Sequence, residues 1–425
     1  MDGENNGRGT ERVYAAIDLK SFYASVECLY RPEIRNKPVA VSGNADDRHG
    51  IILTKNQIAK NFGVKTGEAI WQARQKCPEL VTVPPNFPLY KRFSKMTREI
   101  YGEYSEKVEP FGLDEAWLDI SGRDMNFQKA KAIAEEIRGR IKYELGITVS
   151  IGVSFNKIFA KLGSDYKKPD AVTVITDKNY KYIVWPLPVE NLLFVGPATK
   201  KRLNNMGIYT IGNLANCPLD TLVSVFGKNG NLLNQFANGS DKASVAFSIS
   251  HQDVKSIGNS TTTYRDLKTV EDIKIVAFVL SDSVARRLRE QNLKAWVVGV
   301  SIRENNLNSF TRQRKLSIPT NITEEIAENA IDLFLKNKGE TPLRSIGISL
   351  SELIPSDTPV QMSFFCNAKN NNRLHNLDCA VDSLKKRFGS YCVQPAVMLN
   401  DPRLSGFNPK DDHTIHPVGY FTKYI

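Results

Sequence analysis

At 425 residues, 41% apolar and 24% charged, the chain is too long for one ordinary core and reads as a globular protein of several domains. It holds no apolar run of the roughly 20 residues a membrane helix needs, and its polar start, MDGENNGRGT, lacks the apolar centre of a signal peptide, so a cytoplasmic protein with a disordered N-terminus is expected. A formal charge of +11 points to a polyanionic partner, nucleic acid first.

In chain order, residues 13–17 form an apolar run ending in Asp18, and Ser21 can cap a helix that reaches Tyr30. Residues 38–42 and 51–53 read as short strands, with helical segments from Asn56 to about Lys76. A helix over 90–104 precedes a hairpin-like pair of strands at 107–111 and 116–120. Residues 126–145 put Ala130, Ile133, Ala134, Ile137 and Ile141 on one helical face. Strand 147–153, helix 156–165 and strand 172–175 complete an α+β region. From 185 to 247 the pattern changes to short helices with Gly and Pro breaks, and the polar stretch 248–261 reads as a linker. Helix 270–291, strands 295–302 and 309–317, helix 323–337 and strand 343–351 make a second α+β unit, followed by a helix over 376–388. The Pro-containing segment 393–425 carries no readable signal.

Six scattered cysteines (Cys28, Cys77, Cys217, Cys366, Cys379 and Cys392) show no CxxC spacing, so reduced thiols are expected. His413 and His416 are too few ligands for zinc.

The acid pair Asp114-Glu115 interrupts the apolar stretch PFGLDEAWLDI. An isolated pair of this kind is usually an exposed turn. Asp18, however, also ends an apolar strand; if the two strands are neighbours, three carboxylates meet at one sheet edge. Such acids resist ionisation unless cations neutralise them. Oxygen ligands suit Mg²⁺, and a two-ion site serves polymerases and nucleases alike.

Four segments lift that ambiguity. AIDLKSFYASVE and GLDEAWLDI resemble the paired catalytic motifs of the Y-family (translesion) DNA polymerases, and the order and separation also match. SIGVSFNKIFAKLGSDYKKP at 150–169 and GIILTKNQIAKNFGVKTG at 50–67 are similar to two further motifs, so the resemblance spans most of the chain and looks bacterial. It implies a multidomain α+β right-hand fold. The palm would take 12–29 and 88–178, small fingers 30–87, a helical thumb 179–247 and an α+β little finger 262–400, with 1–11 and 401–425 as tails.

The resemblance also implies roles. Asp18, Asp114 and Glu115, with the Leu19 carbonyl, would hold two Mg²⁺ ions, Mn²⁺ being an alternative. Tyr23, after Phe22, would be the steric gate against ribose. Thr54 and Lys168 would bind the triphosphate of the incoming dNTP. Gln57 and Lys60 stand where a tyrosine and an arginine are usual, so triphosphate handling should differ. Lys20 replaces a common acid, and Gly112 a common serine, which should loosen the hairpin. Gly196 would lie in a helix-hairpin-helix gripping primer-template DNA, though Phe194 takes the place of a family glycine. Arg312, Arg314 and Lys315 are candidate phosphate contacts. QMSFF, with Gln361, Met362, Phe364 and Phe365, resembles a peptide that docks on a bacterial sliding clamp. A monomer is expected. The rivals are a non-catalytic relative, favoured by Gln57 and Lys60, and a two-metal nuclease.

Overall fold

The computed structural model describes residues 12–43, 50–247, 254–359 and 368–412. These fall into two compact units, residues 12–247 and residues 254–412. The N-terminal 1–11, the QMSFF segment and His413 and His416 lie outside the described residues.

The first unit is built on strand β1 (Tyr14–Leu19), buried along its whole length. Such burial suits a central strand, where apolar residues face a layer on both sides. Helix α1 (Phe22–Tyr30) follows at once. Strands β2 (Val39–Ser42) and β3 (Ile52–Lys55), helices α2 (Gln57–Asn61) and α3 (Ile70–Lys76) and strand β4 (Val81–Val83) form a small subdomain around its own three-stranded sheet, ordered β3-β2-β4. Helix α4 (Phe87–Gly102) leads to the hairpin β5 (Val108–Phe111) and β6 (Glu115–Asp119). Helix α5 (Phe127–Leu145), strand β7 (Val149–Ser154), helix α6 (Lys157–Tyr166) and strand β8 (Val172–Ile175) complete a five-stranded sheet ordered β5-β6-β1-β7-β8. The predicted face of α5 is the buried one: Ala130, Ala134, Ile137 and Ile141 join the main core.

Short helices α7 (Tyr180–Ile183), α8 (Pro197–Asn205), α9 (Ile211–Ala215), α10 (Leu219–Phe226) and α11 (Lys228–Ala237) pack around a separate apolar cluster that includes Leu203, Leu214, Leu222 and Phe236.

The second unit is a four-stranded antiparallel sheet, β11-β10-β12-β9, backed by two long helices. Its elements are β9 (Ser256–Leu267), α12 (Val270–Glu290), β10 (Leu293–Glu304), β11 (Ser309–Thr320), α13 (Thr323–Asn337) and β12 (Leu343–Pro355). Helices α14 (Ala368–Phe388), α15 (Pro402–Ser405) and α16 (Pro409–Asp412) follow.

Three expectations need correction. The stretch read as a linker to 261 is already strand from Ser256, because this polar edge segment pairs with β12. The last long helix begins at Ala368, eight positions earlier than its apolar pattern suggests. Residues 402–412 carry helices α15 and α16, and Leu404 is buried in the core of the second unit.

Candidate active site

Strands β1 and β6 are antiparallel, and their register pairs Asp18 with Glu115. Asp114 occupies the turn just before β6, and its carbonyl accepts from the Leu19 amide at 2.9 Å. The three acids therefore meet at one end of the central sheet. Gly112 opens the same turn with φ of 83°, a left-handed conformation that glycine adopts freely. The expectation that it loosens the hairpin is reversed, because a serine there would be strained.

Two cations reach the acids, Lys161 from helix α6 and Lys168 from the segment just after it. Lys161 Nζ lies 2.9 Å from Asp18 Oδ2, 3.1 Å from Glu115 Oε1 and 3.1 Å from Asp165 Oδ2. Lys168 Nζ lies 2.7 Å from Asp18 Oδ2 and 2.5 Å from Asp165 Oδ1. Burial works against the charge of Asp18, but the ammonium groups of Lys161 and Lys168 outweigh it and hold its pKa below the usual carboxylate range. Asp114 goes the other way, raised by burial and then by the charge of Asp18. Glu115 is pushed up to about 8, chiefly by burial, which the attraction of Lys161 only partly offsets.

The donor set fits hard divalent cations. One oxygen of Glu115, Oε2, is buried without a hydrogen-bond partner, and leaving such an atom unpaired is costly unless something binds there. The ligands are not gathered around one centre, however. Among the described residues no three acid, His or Cys side chains form a ready metal cage. Lysine ammonium groups stand between the carboxylates instead.

The seat of α6 is set by glycine. A Cβ on Gly152 of β7 would come within 1.9 Å of the Ala160 carbonyl oxygen and 2.4 Å of the Ser164 nitrogen. Only a bare backbone lets helix and strand approach this closely. The Asn156 side chain caps α6 by accepting from the Phe159 amide at 2.7 Å. The first helical residue, Lys157, is fully buried and pairs with Glu109 at 2.8 Å beneath the Trp117 ring. Glu109 also accepts from the Ala246 amide at 2.8 Å, which ties the segment leaving α11 to this sheet.

Tyr23 is held in an aromatic cage. Its ring stacks on Tyr90 at 4.3 Å and 10°, meets Phe87 edge-on at 5.9 Å and touches Phe22 at 5.6 Å. The Tyr90 hydroxyl is anchored by a 2.5 Å bond to the buried Glu27. Burial, and then the charge of Asp114, raise the Tyr23 pKa, so its phenol stays neutral beside the acids. Ser21 is the residue before α1, but its side chain does not cap the helix as expected; its backbone takes a left-handed turn, φ 47°, instead.

Thr54 lies on β3 opposite Val41. Gln57 and Lys60 are exposed on α2, where Gln57 bonds to Asn61 at 2.9 Å. The positive charge of Lys60 reaches both Lys20 and Lys55. Burial first, and that charge second, lower the pKa of each. Lys20, in the turn after β1, and Lys60 of the small subdomain thus share one positive region.

Gly196 precedes α8 and Pro197 opens it. Phe194 has φ of 71°, so the loop keeps a glycine-like conformation despite its bulky side chain. In the second unit, Arg312, Arg314 and Lys315 all lie on edge strand β11. Arg314 pairs with Asp332 at 2.5 Å and Lys315 with Glu352 at 2.6 Å, while Arg312 bonds to Asn337 at 3.1 Å.

Sequence reasoning missed Lys157, Lys161 and Asp165. The i,i+4 spacing of Lys161 and Asp165 was legible, but it reads as an ordinary exposed helix pair. A lysine among Phe155, Ile158 and Phe159 was the better signal of a buried charge.

The model for the impB/mucB/samB family matches residues 17–165, and that for the family's C-terminal domain matches residues 254–364. The curated protein DNA polymerase IV of Acetivibrio thermocellus is 52% identical over 396 residues, covering 93% of this chain and 99% of its own length. DNA polymerase IV 2 of Bacillus subtilis (strain 168) is 37% identical, covering 92% of this chain and 95% of its own. Among solved structures, a Y-family DNA polymerase chimera of Dbh and Dpo4 superposes with a TM-score of 0.71 at 24% identity, over 81% of this chain and 99% of that one. At that identity the likeness speaks for the fold.

Proposed function

This chain belongs to the impB/mucB/samB family, and from that premise we propose that it is a template-directed DNA polymerase of the low-fidelity, translesion type, adding dNTPs to a primer 3′-hydroxyl in damage bypass. The observation that carries this reading is the convergence of Asp18, Asp114 and Glu115 at one sheet end, with Lys161 of α6 and Lys168 just beyond that helix beside them.

Polymerases of this family generally run on divalent cations. That two Mg²⁺ ions are used, with Mn²⁺ as a substitute, is our reading of the all-oxygen set of Asp18, Asp114, Glu115 and the Leu19 carbonyl. When bound, such ions would activate the primer hydroxyl and neutralise the leaving pyrophosphate.

The chain's own residues do the positioning. Lys168 offers its ammonium to the triphosphate, and Thr54, Gln57 and Lys60 approach it from the small subdomain. Lys20 adds charge beside Lys60, which offsets the missing arginine fork without restoring its bidentate geometry. Phe22 and Tyr23 line the sugar side. A ring fixed by Tyr90 and Phe87 cannot swing aside, so it excludes a ribose 2′-hydroxyl sterically. Alanine at Tyr23 should therefore raise ribonucleotide incorporation roughly 10- to 200-fold relative to deoxynucleotide. Unchanged sugar selection in competition assays would remove the gate assignment.

Primer-template DNA is the partner of the second unit and of the loop at Gly196. The exposed pair of Lys315 and the half-buried pair of Arg314 are open enough to water to be worth little, so a DNA phosphate can take the place of Asp332 and Glu352. We also read QMSFF at 361–365 as a sliding-clamp ligand and the chain as a monomer. With Phe364 and Phe365 both changed to alanine, the ratio of extension with and without clamp should fall to about one. A ratio equal to wild type would discard the motif. No helix among the described residues is long and apolar enough to cross a membrane.

The deciding assay is primer extension on a primed template with Mg²⁺ and all four dNTPs. Extension is expected. Intact DNA binding without extension would favour the non-catalytic rival, and nucleotide-independent degradation would favour the nuclease.

A further inference from the structure

Two ammonium groups occupy the space between the acids, and both have a second place to go. Lys161 has three N–H donors and divides them among Asp18, Glu115 and Asp165. Lys168 divides its contacts between Asp18 and Asp165. Asp165 is the one carboxylate common to both lysines that is not among the three proposed cation ligands. It sits on α6 itself, one turn from Lys161, with its side chain about half exposed, whereas that of Asp18 is only 8% exposed.

A divalent cation on Asp18 and Glu115 would face these ammonium groups at contact distance. Two like charges so close repel strongly in a buried site. Lys161 is 9% exposed and its stem is enclosed in α6 packing, so it cannot retreat to water. It can pivot toward Asp165 without giving up a carboxylate partner.

We propose that Asp165 is a positioning residue that takes the ammonium groups of Lys161 and Lys168 when Asp18 and Glu115 turn to divalent cations. The lysines hold the acid cluster together before cations arrive, and Asp165 is where they are handed over. This rests on the reading of Asp18, Asp114 and Glu115 as the cation ligands. Asp165 itself touches neither cation nor substrate; it acts through the two lysines.

The test is Mn²⁺ affinity of the full chain, read by electron paramagnetic resonance without DNA or nucleotide. Asp165→Asn keeps the shape and removes the charge, so Lys161 stays on Asp18 and Glu115 and Lys168 stays on Asp18. Mn²⁺ should then bind at least about fivefold more weakly. Lys161→Met removes a competing charge and should tighten binding. In the Lys161→Met background the effect of Asp165→Asn should shrink to less than about twofold, the signature of action through the lysine. If Lys161→Met does not fold, Lys168→Met carries the same comparison. An Asp165→Asn variant that binds like wild type, or one equally weakened in both lysine backgrounds, would overturn the proposal. Asp114→Asn is the control for the underlying reading. If it leaves Mn²⁺ binding intact, the acid cluster is not the cation site, and both the assignment and the hand-over fall.

Discussion

Asparagine in place of Asp114 is expected to lower primer extension by about 10²- to 10³-fold or more while DNA binding persists. The substitution keeps the shape of the turn and removes one charge from the proposed cation site. Its effect on stability should run the other way. Burial and the charge of Asp18 already disfavour the ionised form of Asp114 in the folded chain. A neutral amide relieves that penalty, so without added cation the melting temperature should hold or rise. The pairing matters more than either half. Lost activity with a lowered melting temperature would mean that Asp114 is structural. Retained activity would remove it from the chemistry.

Alanine at Gly152 should have the largest effect on folding. The added methyl would run into the Ala160 carbonyl at 1.9 Å and the Ser164 nitrogen at 2.4 Å. Both are backbone atoms of a buried helix, so no side chain can rotate out of the way. Helix α6 must lift from β7 or the strand must bend, at an expected cost of about 3 kcal/mol or more. Because α6 also carries Lys161, any protein that does fold should lose activity with its stability. Urea denaturation of the soluble variant measures this. A midpoint equal to wild type would mean that α6 is not seated directly against Gly152. Gly163→Ala is the milder companion, since its Cβ would meet its nearest neighbour, the Gly152 Cα, at 3.1 Å.

Much of the candidate site was legible in the residues themselves. Asp18, Asp114 and Glu115 stand out because carboxylates at the ends of apolar strands have no packing role, and their motifs resemble one family in order and spacing. Long periodic elements were equally plain. The face of α5 was readable because its apolar positions repeat every third or fourth residue, and β8 falls where its run of β-branched residues puts it.

Elements whose existence depends on a partner were not legible. Strand β4 is three residues long and pairs with β2. The start of β9 is polar, and only its pairing with β12 shows that alternate residues are buried. The short helices after residue 400 carry little pattern of their own, and the core they cover was built far earlier in the chain.

The same limit governs charge. Sequence determined which acids and lysines this protein has, that Asp18 ends an apolar strand, and that Asp114 and Glu115 fall between two others. Whether Lys161 would lie exposed or among carboxylates was decided only by folding, since Asp18 is 143 residues away along the chain. A buried ammonium is tolerable only where carboxylates converge on it. That convergence needs the register of β1 with β6 and the close glycine contact of β7 with α6, and neither is a property of any local stretch.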